Sequence, residues 1–274
     1  MIRLRPPIPK RCAFAPKAPF PVNIYDQDDE DEQPHYNGTF NGLSIVIEKR
    51  ESMEALYTMG YFGKGSLSQA YPAFNQRKRK RLEKIIKING NNHSSGVDDT
   101  KNKQTDVLIS EGNHVVEYLH LMLEEAFFLS FVLECLTVQH QNSAMKVEEM
   151  WEKFQQVQPY FVERYVTYHY YRSRGWVVKS ALKFGGDFVL YKQGPPFYHG
   201  SAVVLIISNV NEDMKNIDCD TLKAINRGVE QVKKELLIAQ IYIPEDLDYK
   251  DVDQISRCTI SEYLYKRSMP AGIS

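Results

Sequence analysis

Residues 168–208 read YHYYRSRGWVVKSALKFGGDFVLYKQGPPFYHGSAVVLIIS, and within them the texture of the chain changes from helix to strand. Up to Ser173 aromatic residues crowd a helical stretch, and Gly175 stands where a C-cap glycine ends a helix. Beyond it, WVVKSALKFG, DFVLYK and AVVLIIS are short runs of branched and aromatic residues punctuated by glycine and proline, which predict strands. The last run is apolar without alternation and bounded by polar residues, the pattern of a fully buried central strand. Gly194, Pro195 and Pro196 separate the second run from the third and predict a tight loop between Tyr191 and His199.

Toward the C-terminus, Thr221 to Leu237 predicts a helix with Leu222, Ile225, Val229, Val232 and Leu236 on one face. Residues 238–243 (IAQIYI) return to strand, and 255–265 form a final strand candidate. With the aromatic helix Tyr160–Ser173 at its head, Pro159 at the helix start, this makes a C-terminal α/β domain over 159–274, an ordinary domain size. The tyrosines of that helix are expected in the core, because aromatic residues at helical spacing fill cores more often than they stack bases.

Toward the N-terminus, residues 36–158 predict a second, mixed α/β domain, so that the class is α+β. It would hold a strand at SIVIE (44–48), a helix starting near a capping Ser52, and a helix from Lys146 through Phe154 with Trp151 inward. Between Val115 and Val138 apolar residues recur at helical spacing (Leu119, Leu123, Phe127, Phe131), which predicts one long helix. Glu124 and Glu125 would then face solvent, and adjacent carboxylates on a helix diverge too much to act as a catalytic pair. Residues 75–106, polar and turn-rich, read as an exposed insertion in this domain. Residues 1–35, proline-rich and then acidic, read as a flexible tail.

The chain has 274 residues, with 34 Lys and Arg against 35 Asp and Glu, so a formal net charge of −1. That value conceals an acidic run at 26–32 (DQDDEDE) and a basic one at 77–81 (RKRKR); without the acidic run the chain is mildly basic, which suits an encounter with phosphates. The basic run points to nuclear import, with the cytoplasm as the alternative, or to direct RNA contact. The four cysteines are scattered, without zinc-ligand spacing. No secretory signal opens the chain and no apolar run reaches membrane-spanning length, so the expectation is a soluble intracellular protein with no membrane insertion.

The chemistry gathers around the loop. His199 is a titratable imidazole at the mouth of a buried strand, next to a glycine that leaves space. Tyr191 precedes the loop and Tyr198 adjoins the histidine. Lys234 gains nothing from helical geometry, since at about 100° per residue it falls nearly opposite the apolar face, as a solvated lysine would.

MGYFGKGSLS (59–68), LEEAFFLSFVLECLTV (123–138), the stretch 168–201 with its GPPFYH run, and VKKELL (232–237) together resemble the tRNA-splicing endonuclease family of eukaryotes, and within it the second subunit, which cuts at the 5′ splice site. The resemblance runs from about Leu56 to the C-terminus, omitting the insertion. It implies a restriction-endonuclease-like C-terminal nuclease domain with a Tyr–His–Lys triad, here Tyr191 as base, His199 as acid and Lys234 as transition-state stabiliser, with no metal and no cofactor. It implies cleavage of precursor tRNA to a 2′,3′-cyclic phosphate and a 5′-hydroxyl. It also implies a complex with a second catalytic subunit and two structural subunits, and an RNA-binding role for Arg227 in a cation–π pair around a bulged base. The family's aromatic partner is a tryptophan near the C-terminus; none follows Trp176 here, and the nearest aromatics are Tyr263 and Tyr265.

Two rivals stand beside this reading. One is a non-catalytic RNA-binding or assembly subunit of the same complex. The other is a metal-dependent nuclease using Asp187 with Glu230 or Glu235, which would be abolished by chelators.

Overall fold

The structure is a computed structural model, and it describes residues 2, 4–11, 17–22, 34–66, 117–211 and 217–267. The insertion expected at 75–106, the acidic run and the basic run lie outside the described residues. The class is α+β, as expected, built on two sheets.

The N-terminal sheet has six strands in the order β3-β4-β2-β1-β5-β6, formed by β1 (Tyr36–Phe40), β2 (Ile45–Ile47), β3 (Lys64–Gly65), β4 (Leu119–Leu121), β5 (Leu136–His140) and β6 (Ser143–Ala144). Helix α1 (Arg50–Thr58) follows β2; its cap position is Lys49, without a side-chain cap, so Ser52 lies inside the helix and does not start it. The long helix expected over 115–138 is not one element. It divides into β4, a short helix α2 (Leu123–Phe127), a π turn (Phe128–Val132) and β5. Apolar residues recur there because every piece is buried, and periodicity alone does not separate a buried strand from a buried helix turn.

The exposed position expected for Glu124 and Glu125 is overturned with it: each is 1% exposed. Arg164 Nε donates to Glu124 Oε1 at 2.6 Å, and Lys179 Nζ donates to Glu125 Oε1 at 2.8 Å. Helical patterning assigns charged residues to water, but a buried charge with a matched partner escapes that rule.

Helix α3 (Val147–Val157) buries Trp151, and α4 (Phe161–Ser173) buries Tyr165, Tyr168 and Tyr171. The aromatic helix is therefore core, as its spacing suggested. It packs on the C-terminal sheet, whose order is β11-β10-β9-β8-β7, from β7 (Val177–Ser180), β8 (Phe188–Tyr191), β9 (Ala202–Ser208), β10 (Glu235–Tyr242) and β11 (Thr259–Tyr265). The continuous apolar run is the central strand β9, between β8 antiparallel and β10 parallel. Helix α5 (Cys219–Gln231) links β9 to β10, and a short 3₁₀ turn (Val252–Arg257) precedes β11.

One hydrophobic core spans both sheets, and buried charges join them. Arg164 of α4 reaches Glu124 of α2 and also donates to Asp187 Oδ1 at 2.7 Å, ahead of β8. Lys179 of β7 bonds Glu125 and the Gly63 carbonyl at 2.8 Å. Arg172 of α4, 3% exposed, donates to the Gly60 carbonyl at 2.6 Å and lies 4.2 Å over the Phe62 ring. The motif stretches at 59–66, 123–138 and 168–201 thus meet at the junction of the two sheets.

Composition alone suggested a flexible tail over 1–35, yet part of it is lodged against the body. Ile2, Leu4, Phe20 and Val22 pack on the core. Residues 8–10 run antiparallel to 197–199, with a bridge between Pro9 and Tyr198.

Candidate active site

Strand direction brings the site together. Because β8 runs antiparallel to β9 while β10 runs parallel, the end of β8 and the starts of β9 and β10 meet at one end of the sheet. Leu190, Ala202 and Glu235 lie in the last paired row, with Leu190↔Ala202 and Glu235↔Ala202 in register. Tyr191, Ser201 and Lys234 are each one residue beyond it. Two backbone bonds close that end: Ser201 N–H to Leu190 O at 2.8 Å, and Glu235 N–H to Ser201 O at 3.1 Å.

Gly200 is the point of convergence. A Cβ built there would stand 2.7 Å from Val189 Cγ2, 3.0 Å from Lys234 Cε and 3.5 Å from Tyr191 Cε1. Tyrosine and lysine therefore flank the glycine that follows His199, and any side chain at 200 would intrude between them. Gly200 was noted from sequence only as a space-leaving neighbour; its role as the shared wall needed the sheet register.

The helix expected over Thr221–Leu237 is shorter than its apolar spacing suggested. It ends at Gln231, Lys233 adopts a left-handed conformation (φ 56°), and β10 begins at Glu235. Lys234 is in the reversal between them, with its N–H bonded to Val229 O at 3.0 Å. The helical-face argument that sent this lysine to solvent fails because there is no helix at that point. Lys234 is 9% exposed, and its ammonium lies 5.1 Å over the Phe184 ring and donates to Val232 O at 3.3 Å. Burial lowers its pKa from the ordinary lysine value, with repulsion from Lys183 and Lys10 adding to the effect.

The loop carrying His199 is shaped by glycine and by the N-terminal domain. Gly194 has φ 115°, and its carbonyl accepts from both Phe197 N–H and Tyr198 N–H at 3.2 Å. A Cβ at Gly194 would fall 2.3 Å from Tyr61 Cδ2, and the Phe197 ring meets Tyr61 edge-on at 5.9 Å. The MGYFGKG stretch thus supports the loop that carries His199, a role no local pattern in the sequence could announce. His199 itself is exposed, with its N–H bonded to Ile8 O at 3.0 Å.

Desolvation lowers the His199 pKa from its ordinary value, and the charges of Lys10 and Lys234 lower it further. Burial raises the Tyr191 pKa.

Arg227 is exposed on α5, away from the buried Asn226 and Val229. Of the two C-terminal tyrosines, Tyr263 is 52% exposed on β11, whereas Tyr265 packs against the cluster under α5. The structure brings neither against Tyr191, His199 or Lys234 through any contact it records.

The carboxylates of the metal reading do not assemble. Asp187 is engaged by Arg164 and by Ile206 N–H at 2.9 Å, Glu230 is exposed, and Glu235 pairs with Arg5 at 3.4 Å and Lys266 at 3.6 Å. Among the described residues no group of three or more His, Cys, Asp or Glu is arranged to hold a metal ion, and no helix is long and apolar enough to cross a membrane.

Residues 36–151 match the tRNA intron endonuclease N-terminal domain, and residues 161–249 match the tRNA intron endonuclease catalytic C-terminal domain, which takes in Tyr191, His199, Arg227 and Lys234. The chain is 38% identical over 160 residues to tRNA-splicing endonuclease subunit Sen2 of Gallus gallus, covering 56% of this chain and 35% of the relative. It is 33% identical over 165 residues to subunit SEN2 of Saccharomyces cerevisiae, covering 57% and 42%. With the probable subunit sen2 of Schizosaccharomyces pombe the identity is 24% over 287 residues, covering 77% and 75%. The chain spans about a third of the length of the vertebrate relatives it matches. Together the two domain matches take in more than half of the chain and establish that it belongs to the tRNA intron endonuclease family.

Proposed function

We propose that this chain is a catalytic subunit of a tRNA-splicing endonuclease and cleaves precursor tRNA at the 5′ splice site without a metal. The observation that carries the reading is the flanking of Gly200 by Tyr191 and Lys234, one residue from His199.

The reaction needs three services. The ribose 2′-oxygen attacks phosphorus while the bond from phosphorus to the 5′-oxygen breaks. Tyr191 takes the 2′ proton, His199 gives a proton to the departing 5′-oxygen, and Lys234 faces the charge that builds on the non-bridging oxygens. The products are a 2′,3′-cyclic phosphate and a 5′-hydroxyl. The shifts in the free site fit a site awaiting an anion. Desolvation, and then the charges of Lys10 and Lys234, hold the imidazole below its ordinary value; a bound phosphodiester offsets the lysine charges and favours the imidazolium that the acid role requires.

Among the described residues strand β11 is a sheet edge with β10 as its one neighbour, and edges of this kind accept a strand from another chain. That supports assembly with a second catalytic subunit and two structural ones. Arg227 and the exposed Tyr263 are the candidates for gripping a base, tyrosine stacking in place of tryptophan. A nuclear location rests on the basic run at 77–81.

The test is cleavage of an intron-containing precursor tRNA by the reconstituted complex in excess EDTA, with end analysis of the fragments. Undiminished cutting and cyclic phosphate ends are expected. Abolition by EDTA that added Mg²⁺ reverses would transfer the reaction to the metal-dependent reading.

Gly200→Ala probes the geometry more finely. Its methyl would press on Val189 and Lys234 at 2.7 and 3.0 Å; a displaced catalytic group costs on the order of 10²-fold. A loss of about 10- to 100-fold in cleavage rate, with little change in thermal melting, is expected. A wild-type rate would show that the lysine has room to yield and that its placement is not tight.

A further inference from the structure

We infer that Lys10, carried by the N-terminal segment 4–11, is a phosphate-binding residue of the active site, a second cation that grips the RNA strand beside His199. The inference rests on the reading of the reaction given above.

The segment is anchored on the side preceding Lys10 and paired at Lys10 itself. Ile2 and Leu4 pack on the core. Arg5 N–H donates to Glu235 Oε2 at 2.7 Å, and its guanidinium Nε lies 3.4 Å from Oε1 of the same carboxylate. Glu235 is the residue after Lys234 and the first of β10, so the anchor sits next to that lysine. Pro6 and Pro7 then favour an extended path, and residues 8–10 pair with the catalytic loop. Lys10 N–H donates to Phe197 O at 2.7 Å, and Ile8 O accepts from His199 N–H at 3.0 Å. With Pro9 opposite Tyr198, Lys10 is diagonally across from His199. Diagonal neighbours of an antiparallel pair are roughly 7–8 Å apart, well within the reach of a lysine side chain.

The Lys10 ammonium is exposed and donates to Pro195 O at 2.7 Å, in the same loop. Its charge bears on both His199 and Lys234, and Lys183 bears on Lys234 as well. Cations drawn together around an imidazole repel one another, and an anion among them relieves that repulsion. The RNA backbone is that anion: Lys234 meets the scissile phosphate, and Lys10, on the outer side of His199, meets the phosphate group from the solvent-facing side or its neighbour along the strand.

A purely structural role for Lys10, holding the loop through Pro195 O, makes a different forecast. Lys10→Gln keeps a donor for that carbonyl and removes the charge, whereas Lys10→Arg keeps both. In the reconstituted complex with full-length chain, cleavage of precursor tRNA under single-turnover conditions is followed from about 50 to 200 mM KCl, the range over which phosphate contacts lose strength. Lys10→Gln is expected to lose about tenfold in kcat/KM, and the log–log salt slope should fall by about 0.7–0.9 for the one lost phosphate contact. Lys10→Arg should retain both rate and slope. A Lys10→Gln complex with the wild-type salt slope, whatever its rate, would overturn the inference while leaving the reaction intact. Failure of the wild-type complex to cut at all would overturn the reading of the reaction, and this inference with it.

Discussion

His199→Ala is expected to lower cutting at the 5′ splice site by about 10²–10⁴-fold, the range contributed by a positioned general acid, while the other splice site continues to be cut. The physical case is clean because the side chain is exposed and structurally idle. The bond that His199 makes to the N-terminal segment is through its backbone N–H to Ile8 O, which alanine retains. The variant should therefore melt with the wild type, and its loss is chemical. Without the imidazolium the 5′-oxygen must leave as an alkoxide, a poor leaving group in any site. The pH dependence has a definite sign. Lys10 and Lys234, with desolvation ahead of them, hold the imidazole below its ordinary value, so the protonated acid is lost early as pH rises. The wild-type 5′ rate should show that decline, and the residual rate of the variant should not. Gel analysis of both junctions in EDTA reads the result. Unaltered 5′ cutting by the alanine variant would make this chain a scaffold, the first of the rival readings.

Lys179→Met is expected to destabilise the chain by about 3–5 kcal/mol, the cost of stranding a buried charge. Glu125 has a side chain 1% exposed. Its Oε1 accepts from Lys179 Nζ at 2.8 Å, and its Oε2 accepts from Gly63 N–H at 3.1 Å and Met122 N–H at 3.0 Å. With methionine in place the two backbone donors remain, but the carboxylate loses its hydrogen-bonded cation and keeps only the charge of Arg172 nearby. Desolvation lowers the Lys179 pKa while Glu125 raises it, so each charge is tolerable only with the other. The double variant Lys179→Met with Glu125→Gln should regain a substantial part of the loss, because a neutral amide costs less to bury than an unpaired carboxylate. Urea unfolding of the two variants against wild type measures the difference. A loss below about 1 kcal/mol in the single variant would mean that water reaches the carboxylate and that the pair is a surface pair in effect. The same substitution also loosens Gly63, two residues from the Tyr61 ring on which the catalytic loop rests, so activity is expected to fall before the chain unfolds.

These two residues mark how far the sequence could be read. His199 was legible because its signals are local: a titratable group, a glycine beside it, prolines before it and a buried strand after it. The strands of the C-terminal sheet, the buried centre of that sheet and the aromatic core helix were legible for the same reason, since each is a pattern within a few residues of itself. Lys179 and Glu125 were not. Glu125 was assigned to water by helical spacing, and only the partner 54 residues away makes it a buried ion.

The sequence by itself determined that residues 168–208 turn from helix to strands, that a glycine–proline loop separates Tyr191 from His199, and, through the family resemblance, which three side chains are the candidates for a triad. Tertiary structure alone decided that Tyr191 and Lys234 flank Gly200, the residue after His199. Lys234 enters the site because α5 stops at Gln231 and Lys233 takes a left-handed turn, a local choice that lets Glu235 pair with Ala202 in the end row of the sheet. An amphipathic pattern cannot foretell it, because Val232 and Leu236 suit a helix face as well as they suit a turn and a buried strand. The choice between them is made by the apolar burial and backbone pairing available in the assembled sheet, and those are properties of the fold as a whole.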